Sequence, residues 1–289
     1  MKKIFMTGST SYVGTKFIEL YGKRFDILGV ARTDLKHPVD LLDFEAVGKL
    51  FEDFKPDFVL HIAADLGRDT TTSDQIIKTN PAITKNLVDL AQINKTSFLF
   101  TSTESVYGGR ENGGYIETDP YKPRNPYGAS KVESEKIVMA SGLPYLITRG
   151  YRHVGISKNF DRPKQFPDAL NELTRGREIH LDSRKLFTPV LINNVCDIFV
   201  YYMEHDADKQ VLINMGVDKP VTFYQFVVDV AHALGLDANL IKPDGEEAGW
   251  PMNNTLSFAK LHELGYPNVT YEQLLDTIKS DFSALPDSR

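Results

Sequence analysis

Apolar residues along this chain come in short unbroken runs that stop at turn residues. Between the runs they recur every three or four positions. Residues 3–7 form the first run, which ends at Gly8 as a buried strand does. Phe17, Ile18 and Leu20 then fall at helical spacing. Residues 25–31 give a second strand, and Phe44, Val47, Leu50 and Phe51 give an amphipathic helix with Asp43 placed to cap it. A third buried strand over 56–64 leaves through Ala63 and Ala64. Residues 73–94 keep helical spacing despite Pro81, which kinks the helix or marks its restart. Residues 96–101 read as a fourth strand, and 109–126 as a long loop of Gly, Pro and charge that can wall a cleft. A helix from about 126 and a fifth strand over 143–149 follow. Strict alternation of this kind predicts an α/β fold, a doubly wound parallel sheet with right-handed crossovers.

The pattern loosens beyond Gly155. Residues 160–180 suggest a helix and a short strand, and 187–191 lead into an apolar helix over 194–203. A strand over 211–215 and helices near 222–234, 257–264 and 271–282 complete the chain. The expected division is a large domain over 1–155, completed by roughly 186–215. Residues 156–185 and 216–289 then form a smaller lobe over the cleft. No internal repeat and no low-complexity segment is present.

Composition narrows the class. The chain has 289 residues, 42% hydrophobic and 25% charged, ordinary for a water-soluble globular protein. A net charge of −6 and the lack of a Lys/Arg stripe speak against a nucleic-acid partner. No apolar run approaches the ~18 residues of a membrane span, and the N-terminal run is too short for a signal-peptide core. Cys196 is the single cysteine; it rules out an internal disulfide, reads as a small buried apolar residue, and suggests a reducing, cytoplasmic setting.

Candidate chemistry concentrates at the ends of the strands. Gly8, Ser11, Tyr12, Val13 and Gly14 form a turn between strand and helix, the context in which a Gly-rich turn binds a dinucleotide pyrophosphate. Ser11 holds the place of the usual middle glycine; its Cβ crowds the phosphate, or its hydroxyl donates to it. Arg32, with Lys36 close behind, suits a 2′-phosphate and favours NADP, whereas Asp34 keeps NAD open. Ala63 and Ala64 allow a flat ligand to lie against the backbone. His61, inside its strand, reads as a satisfied core histidine. Thr101, Ser102 and Thr103 put hydroxyls where parallel sheets place ligands. Tyr127 and Lys131 are four apart and share a helix face, so the ammonium favours the phenolate and suits Tyr127 to acid–base work. Arg152 and His153 engage an anionic group or are simply exposed loop charges. No metal site is expected.

Together these motifs resemble the extended short-chain dehydrogenase/reductase superfamily, its sugar-nucleotide epimerase, dehydratase and reductase group, over residues 3 to 282. The resemblance rests on the Thr7-Gly8 turn, residues 40–43 and 56–64, Thr101-Ser102-Thr103 with Val106-Tyr107-Gly108, and the Tyr127/Lys131 pair. Arg149, Asn214-Met215-Gly216 and residues 251–256 extend it. It implies a Rossmann-type domain carrying NAD or NADP, with Asp40, Leu41 and Lys131 also on the cofactor side. It further implies that Thr103 orients a carbonyl, Tyr127 protonates the developing alkoxide, and Lys131 lowers the Tyr127 pKa while holding the nicotinamide ribose. Glu104, Arg152, His153 and Trp250 fall on the substrate side.

The dTDP-4-dehydrorhamnose reductase branch is the most similar, with two departures. Trp250 stands where that branch has arginine, and Arg152 where it tends to have an aromatic. The expected activity is NAD(P)-dependent reduction of a keto group on a nucleotide-linked deoxysugar. Two alternatives stay open, a nucleotide-sugar 4-epimerase with retained NAD and a non-catalytic NAD(P)-binding regulatory subunit. Dehydration is not expected, because Ser105 stands where the dehydratase branch has its second acid. The resemblance also suggests a homodimer through the helices at 73–94 and 126–141.

Overall fold

A computed structural model describes residues 1–32, 36–66, 72–158, 165–244 and 253–285. Its first part alternates β1 (Lys3–Thr7), α1 (Tyr12–Tyr21), β2 (Asp26–Val30), α2 (Phe44–Phe54), β3 (Phe58–His61), α3 (Ser73–Asn94), β4 (Ser97–Thr101), α4 (Pro126–Ala140) and β5 (Tyr145–Arg149). The remainder comprises β6 (His153–Val154), α5 (Gln165–Thr174), β7 (Ile179–Asp182), β8 (Leu186–Phe187), β9 (Val190–Leu191), α6 (Ile192–His205) and β10 (Gln210–Asn214). β11 (Val221–Thr222), α7 (Phe223–Leu234), β12 (Ile241–Asp244), α8 (Ala259–Glu263) and α9 (Tyr271–Ser283) follow.

Six strands form one parallel sheet in the order β10-β5-β4-β3-β1-β2. Helices cover both faces, and the alternation of side chains along each strand divides the core in two. Ile4, Met6, Leu60 and Leu99 pack with Phe17 of α1 and Phe199 of α6. Phe5, Val59, Phe98 and Phe100 pack with Phe51, Leu87 and Val138 of α2, α3 and α4. β3 and β4 are therefore buried along their whole length. At the β2 edge the strand reading of 25–31 overshoots by one residue at each end. Ala31 makes only an isolated parallel bridge to Pro38.

Pro81 does not restart the helix; α3 runs through it as one element. Residues 187–191 form two short strands rather than a simple lead-in, and β9 pairs in parallel with β6. A further apolar cluster gathers Phe166, Leu170, Phe187, Phe223, Phe226, Leu274 and Ile278 from α5, β8, α7 and α9.

Candidate active site

The connections from β1 to β2 and from β2 to β3 put the reversal of strand order beside β1, where an open α/β sheet leaves a crevice at its carboxyl edge. A cavity of about 650 Å³ occupies that crevice. Gly8, Ser11, Val13, Arg32, Asp40, Leu41, Ala63 and Ala64 line it, and Tyr127 and His153 stand on the same wall system. Its size falls in the range of ligand pockets, roughly 300–1,000 Å³.

The turn after β1 is tight because α1 presses onto it. A β-carbon on Gly14 would meet the Gly8 carbonyl oxygen at 2.2 Å, so no larger residue fits without moving the helix. Ser11 is the N-cap of α1, and its Oγ accepts from the Gly14 N–H at 3.1 Å. The middle position is thus used for capping, and the hydroxyl proton is left to donate toward the cavity that Ser11 lines. Tyr12 and Gly14 do not line the cavity. Tyr12 is 1% exposed and its hydroxyl donates to the Gly155 carbonyl, tying α1 to the segment after β6. Arg32 is exposed at the rim. Asp34 and Trp250 lie outside the described residues.

Asn125 caps α4, accepting from the Gly128 N–H at 2.7 Å, and Pro126 occupies the first helical position. The helix therefore begins beside the end of β4, with Tyr127 in its first turn. A β-carbon on Gly128 would lie 2.2 Å from the Ser105 carbonyl oxygen, which shows how closely α4 seats on the turn after β4. Thr103 opens that turn, accepting from the Ser105 N–H at 3.2 Å and donating to Glu104 Oε2 at 2.8 Å. Ser105 Oγ donates to Glu104 Oε1 at 3.1 Å. Glu104 is 1% exposed; burial pushes its carboxyl up, and the Thr103 hydrogen bond, the Lys185 charge and the Ser105 and Asn254 hydrogen bonds pull it back.

The Tyr127/Lys131 pair departs from the expected electrostatics. Burial and then the Glu104 charge push the Tyr127 phenol above its ordinary value. The Lys131 Nζ lies 5.8 Å from the Tyr127 ring centroid and donates to the Thr101 carbonyl at 2.7 Å. It also stands 4.4 Å from the Phe100 ring centroid. Burial pulls the Lys131 ammonium down to about 7, against the opposing pull of Glu135. At Tyr127 the net direction is therefore upward, set by desolvation and by the Glu104 charge. Lys131 itself lies behind the cavity wall rather than in it. Thr103, similarly, spends its proton on Glu104 and must rotate to reach another oxygen.

Sequence reasoning missed a buried set behind these residues. Glu135 accepts from Arg149 through Nε at 3.0 Å and a terminal nitrogen at 2.6 Å, and Ser102 Oγ donates to the same carboxylate. Arg149 also donates to the Tyr107 hydroxyl at 2.6 Å, the Tyr121 hydroxyl at 3.0 Å and the Glu117 carbonyl at 3.0 Å. The available signal was a charge at the end of a buried strand, four residues beyond Tyr145. His61 is held neutral by burial and the Lys131 charge, between Thr7 Oγ1 at 2.8 Å and Thr84 Oγ1 at 3.2 Å, as a satisfied core histidine. Among the described residues no helix is long and apolar enough to cross a membrane, and no group of three His, Cys, Asp or Glu side chains could hold a metal ion.

A doubly wound sheet, a capped turn at the crevice and a Tyr–Lys helix at its far wall define a Rossmann-type fold. The chain belongs to the NAD dependent epimerase/dehydratase family, whose model matches residues 4–216. A probable dTDP-glucose 4,6-dehydratase of Sinorhizobium fredii is 33% identical over 148 residues, 45% of this chain and 40% of that protein. The chain thus aligns with less than half the length of that relative. A probable low-salt glycan biosynthesis reductase of Haloferax volcanii is 26% identical over 256 residues, 86% of this chain and 85% of the other. The crystal structure of dTDP-4-dehydrorhamnose reductase from Bacillus anthracis, in complex with NADP, superposes with a TM-score of 0.83 at 19% identity. It covers 96% of this chain and 99% of that one.

Proposed function

We propose that this protein reduces a keto group on a nucleotide-linked deoxysugar, in the manner of the dTDP-4-dehydrorhamnose reductases, with NADP the favoured cofactor. The observation that carries the reading is Tyr127 on the wall of the dinucleotide cavity, its phenol held protonated by burial and by Glu104. A reducing enzyme needs a proton donor at that point, and a phenol of raised pKa supplies one to an alkoxide, which is far more basic.

The residues present fit a nicotinamide dinucleotide. The Ser11-capped helix receives its phosphates, Ala63 and Ala64 leave room for a flat ring system, and Arg32 stands at the rim where a 2′-phosphate would be met. When bound, the dinucleotide supplies the hydride. Tyr127 gives its proton to the substrate oxygen, and Thr103, rotated away from Glu104, donates a hydrogen bond to the same oxygen. Lys131 sits one helical turn beyond Tyr127, behind the cavity wall, and would hold the cofactor ribose on leaving the Thr101 carbonyl. Ser105 offers a hydroxyl and not a second carboxylate, so the acid–base pair that elimination of water requires is missing here. The Haloferax volcanii reductase, similar over most of both chains, supports the same choice.

The test is a panel of 4-keto sugar nucleotides and nucleotide-sugars with NADPH and NADH, following the absorbance of the reduced cofactor. Cofactor oxidation with a keto-sugar supports the reductase. Interconversion of sugars without net cofactor change would show a 4-epimerase, and cofactor binding without turnover of any sugar would show a regulatory subunit.

A further inference from the structure

The segment between β5 and β6 carries a cation that the proposed chemistry leaves unused. Arg152 has φ +48°, a left-handed conformation that a β-carbon disfavours. Its guanidinium carbon lies 4.2 Å from the Phe223 ring centroid, 5.1 Å from Tyr151 and 5.5 Å from Phe187. Three rings cushion the charge but offer no strong acceptor. Nε and Nη1 are buried and find no hydrogen-bond partner among the described residues. Lys185 approaches the same tyrosine, its Nζ 4.8 Å from the Tyr151 ring centroid and 3.5 Å from the hydroxyl. Nε–H and Nη1–H point to opposite sides of the guanidinium, so each enters a two-point fork only together with Nη2. Strain, unpartnered donors and a second cation meet in this segment, and such costs persist at sites that meet a ligand.

That spot adjoins the reacting end of the cavity. The Gly150 carbonyl, two residues before Arg152, accepts from the Glu104 N–H at 3.2 Å. His153, the next residue, lines the cavity with Tyr127. Glu104 accepts from Thr103 and Ser105, and it is not a hydrogen-bond partner of Arg152 Nε or Nη1.

We propose that Arg152 is the receptor for an oxyanion of the substrate, a phosphate or a sugar carboxylate, and selects substrates that carry one beside the reacting carbonyl. Both groups present two oxygens in the plane that a guanidinium fork matches, whereas a sugar hydroxyl presents one and leaves the charge uncompensated. The proposal rests on the reading above only in that a substrate enters this cleft.

The experiment is calorimetric titration of the wild-type chain, with NADP present, using dTDP, glucose 1-phosphate and glucuronate as probes against thymidine and glucose. Wild type should prefer at least one charged probe over its neutral counterpart by about tenfold or more. Arg152→Met, which fills the ring cage without the fork, should lose that preference while NADP affinity and melting temperature hold. Arg152→Lys keeps charge without the fork and should retain part of it, which guards against a Met variant that folds poorly. Loss confined to the two phosphate probes identifies a phosphate, and loss confined to glucuronate identifies a carboxylate. The proposal is overturned if wild type does not distinguish charged from neutral probes, or if both variants bind the charged probes as wild type does. A wild-type chain that binds no NADP sinks the reductase reading instead, and the same titrations without NADP still decide the role of Arg152.

Discussion

Burial holds the Lys131 amine at about 7, against an ordinary lysine value of 10.5, and this has a consequence for stability. Between those two values the unfolded chain binds the proton and the folded chain does not. Stability must therefore rise with pH across that window, and the contribution is lost as pH falls toward 7. One such proton is worth up to roughly 1.4 kcal/mol per pH unit. Lys131→Met removes it. Urea unfolding at pH 7 and pH 9 should show wild type gaining on the order of 2 kcal/mol more than the variant; parallel gains would mean that Lys131 keeps its charge in the fold. At Tyr127 the expectation concerns rate. Tyr127→Phe removes the transferable proton and little volume, so turnover should fall at least ~100-fold with NADPH binding nearly unchanged, as read by steady-state kinetics beside a fluorescence titration. An unaltered rate rejects Tyr127 as donor. The spacing of Tyr127 and Lys131 was legible because helical periodicity alone sets it. Their electrostatics were not, since burial and the neighbour Glu104 come from other parts of the chain.

At the level of elements, α4 is the part on which the site depends. Asn125 and Pro126 fix where it starts, Gly128 lets it seat on Ser105, and Glu135 anchors its third turn to β5 through Arg149. The Glu135–Arg149 pair is 0% and 1% exposed at its side chains, and it holds Tyr107, Tyr121 and the Glu117 backbone, so the long loop after β4 hangs from it. Glu135→Gln leaves a buried guanidinium without its counter-charge, a change that costs about 3–5 kcal/mol when one partner of a buried pair is removed. Chemical denaturation should show that loss, and the loop should become more open to proteolysis; a stability within 1 kcal/mol of wild type would mean water or another carboxylate takes over. The strands and helices of the sheet were readable from hydrophobic spacing because each is a local pattern. The loop over 109–126 was readable as a loop but its anchoring was not. Arg149 meets partners 14, 28, 32 and 42 residues away, and no window along the sequence joins them.

For the molecule as a whole, the doubly wound parallel sheet was legible because alternating strands and helices allow few right-handed arrangements. The cavity's wall was legible only in part, since it is assembled from the ends of four strands and the start of α4. That assembly makes cofactor binding a global stabiliser. A ligand that binds only the folded chain adds RT ln(1 + [L]/Kd), about 2.7 kcal/mol at a hundredfold excess over Kd. A chain of 289 residues unfolds with an entropy near 0.6 kcal/mol per degree, so the melting temperature should rise by about 4 °C. Arg32 stands exposed at the rim, and its charge distinguishes the two dinucleotides only through the 2′-phosphate. At equal concentrations NADPH should therefore shift the melt further than NADH, and Arg32→Ala should bring the NADPH shift down to that of NADH while leaving the latter in place. Scanning calorimetry of wild type and variant with each dinucleotide measures all four shifts. Equal losses for both cofactors would reduce Arg32 to a rim charge, and the choice between them would pass to other residues of the β2 edge.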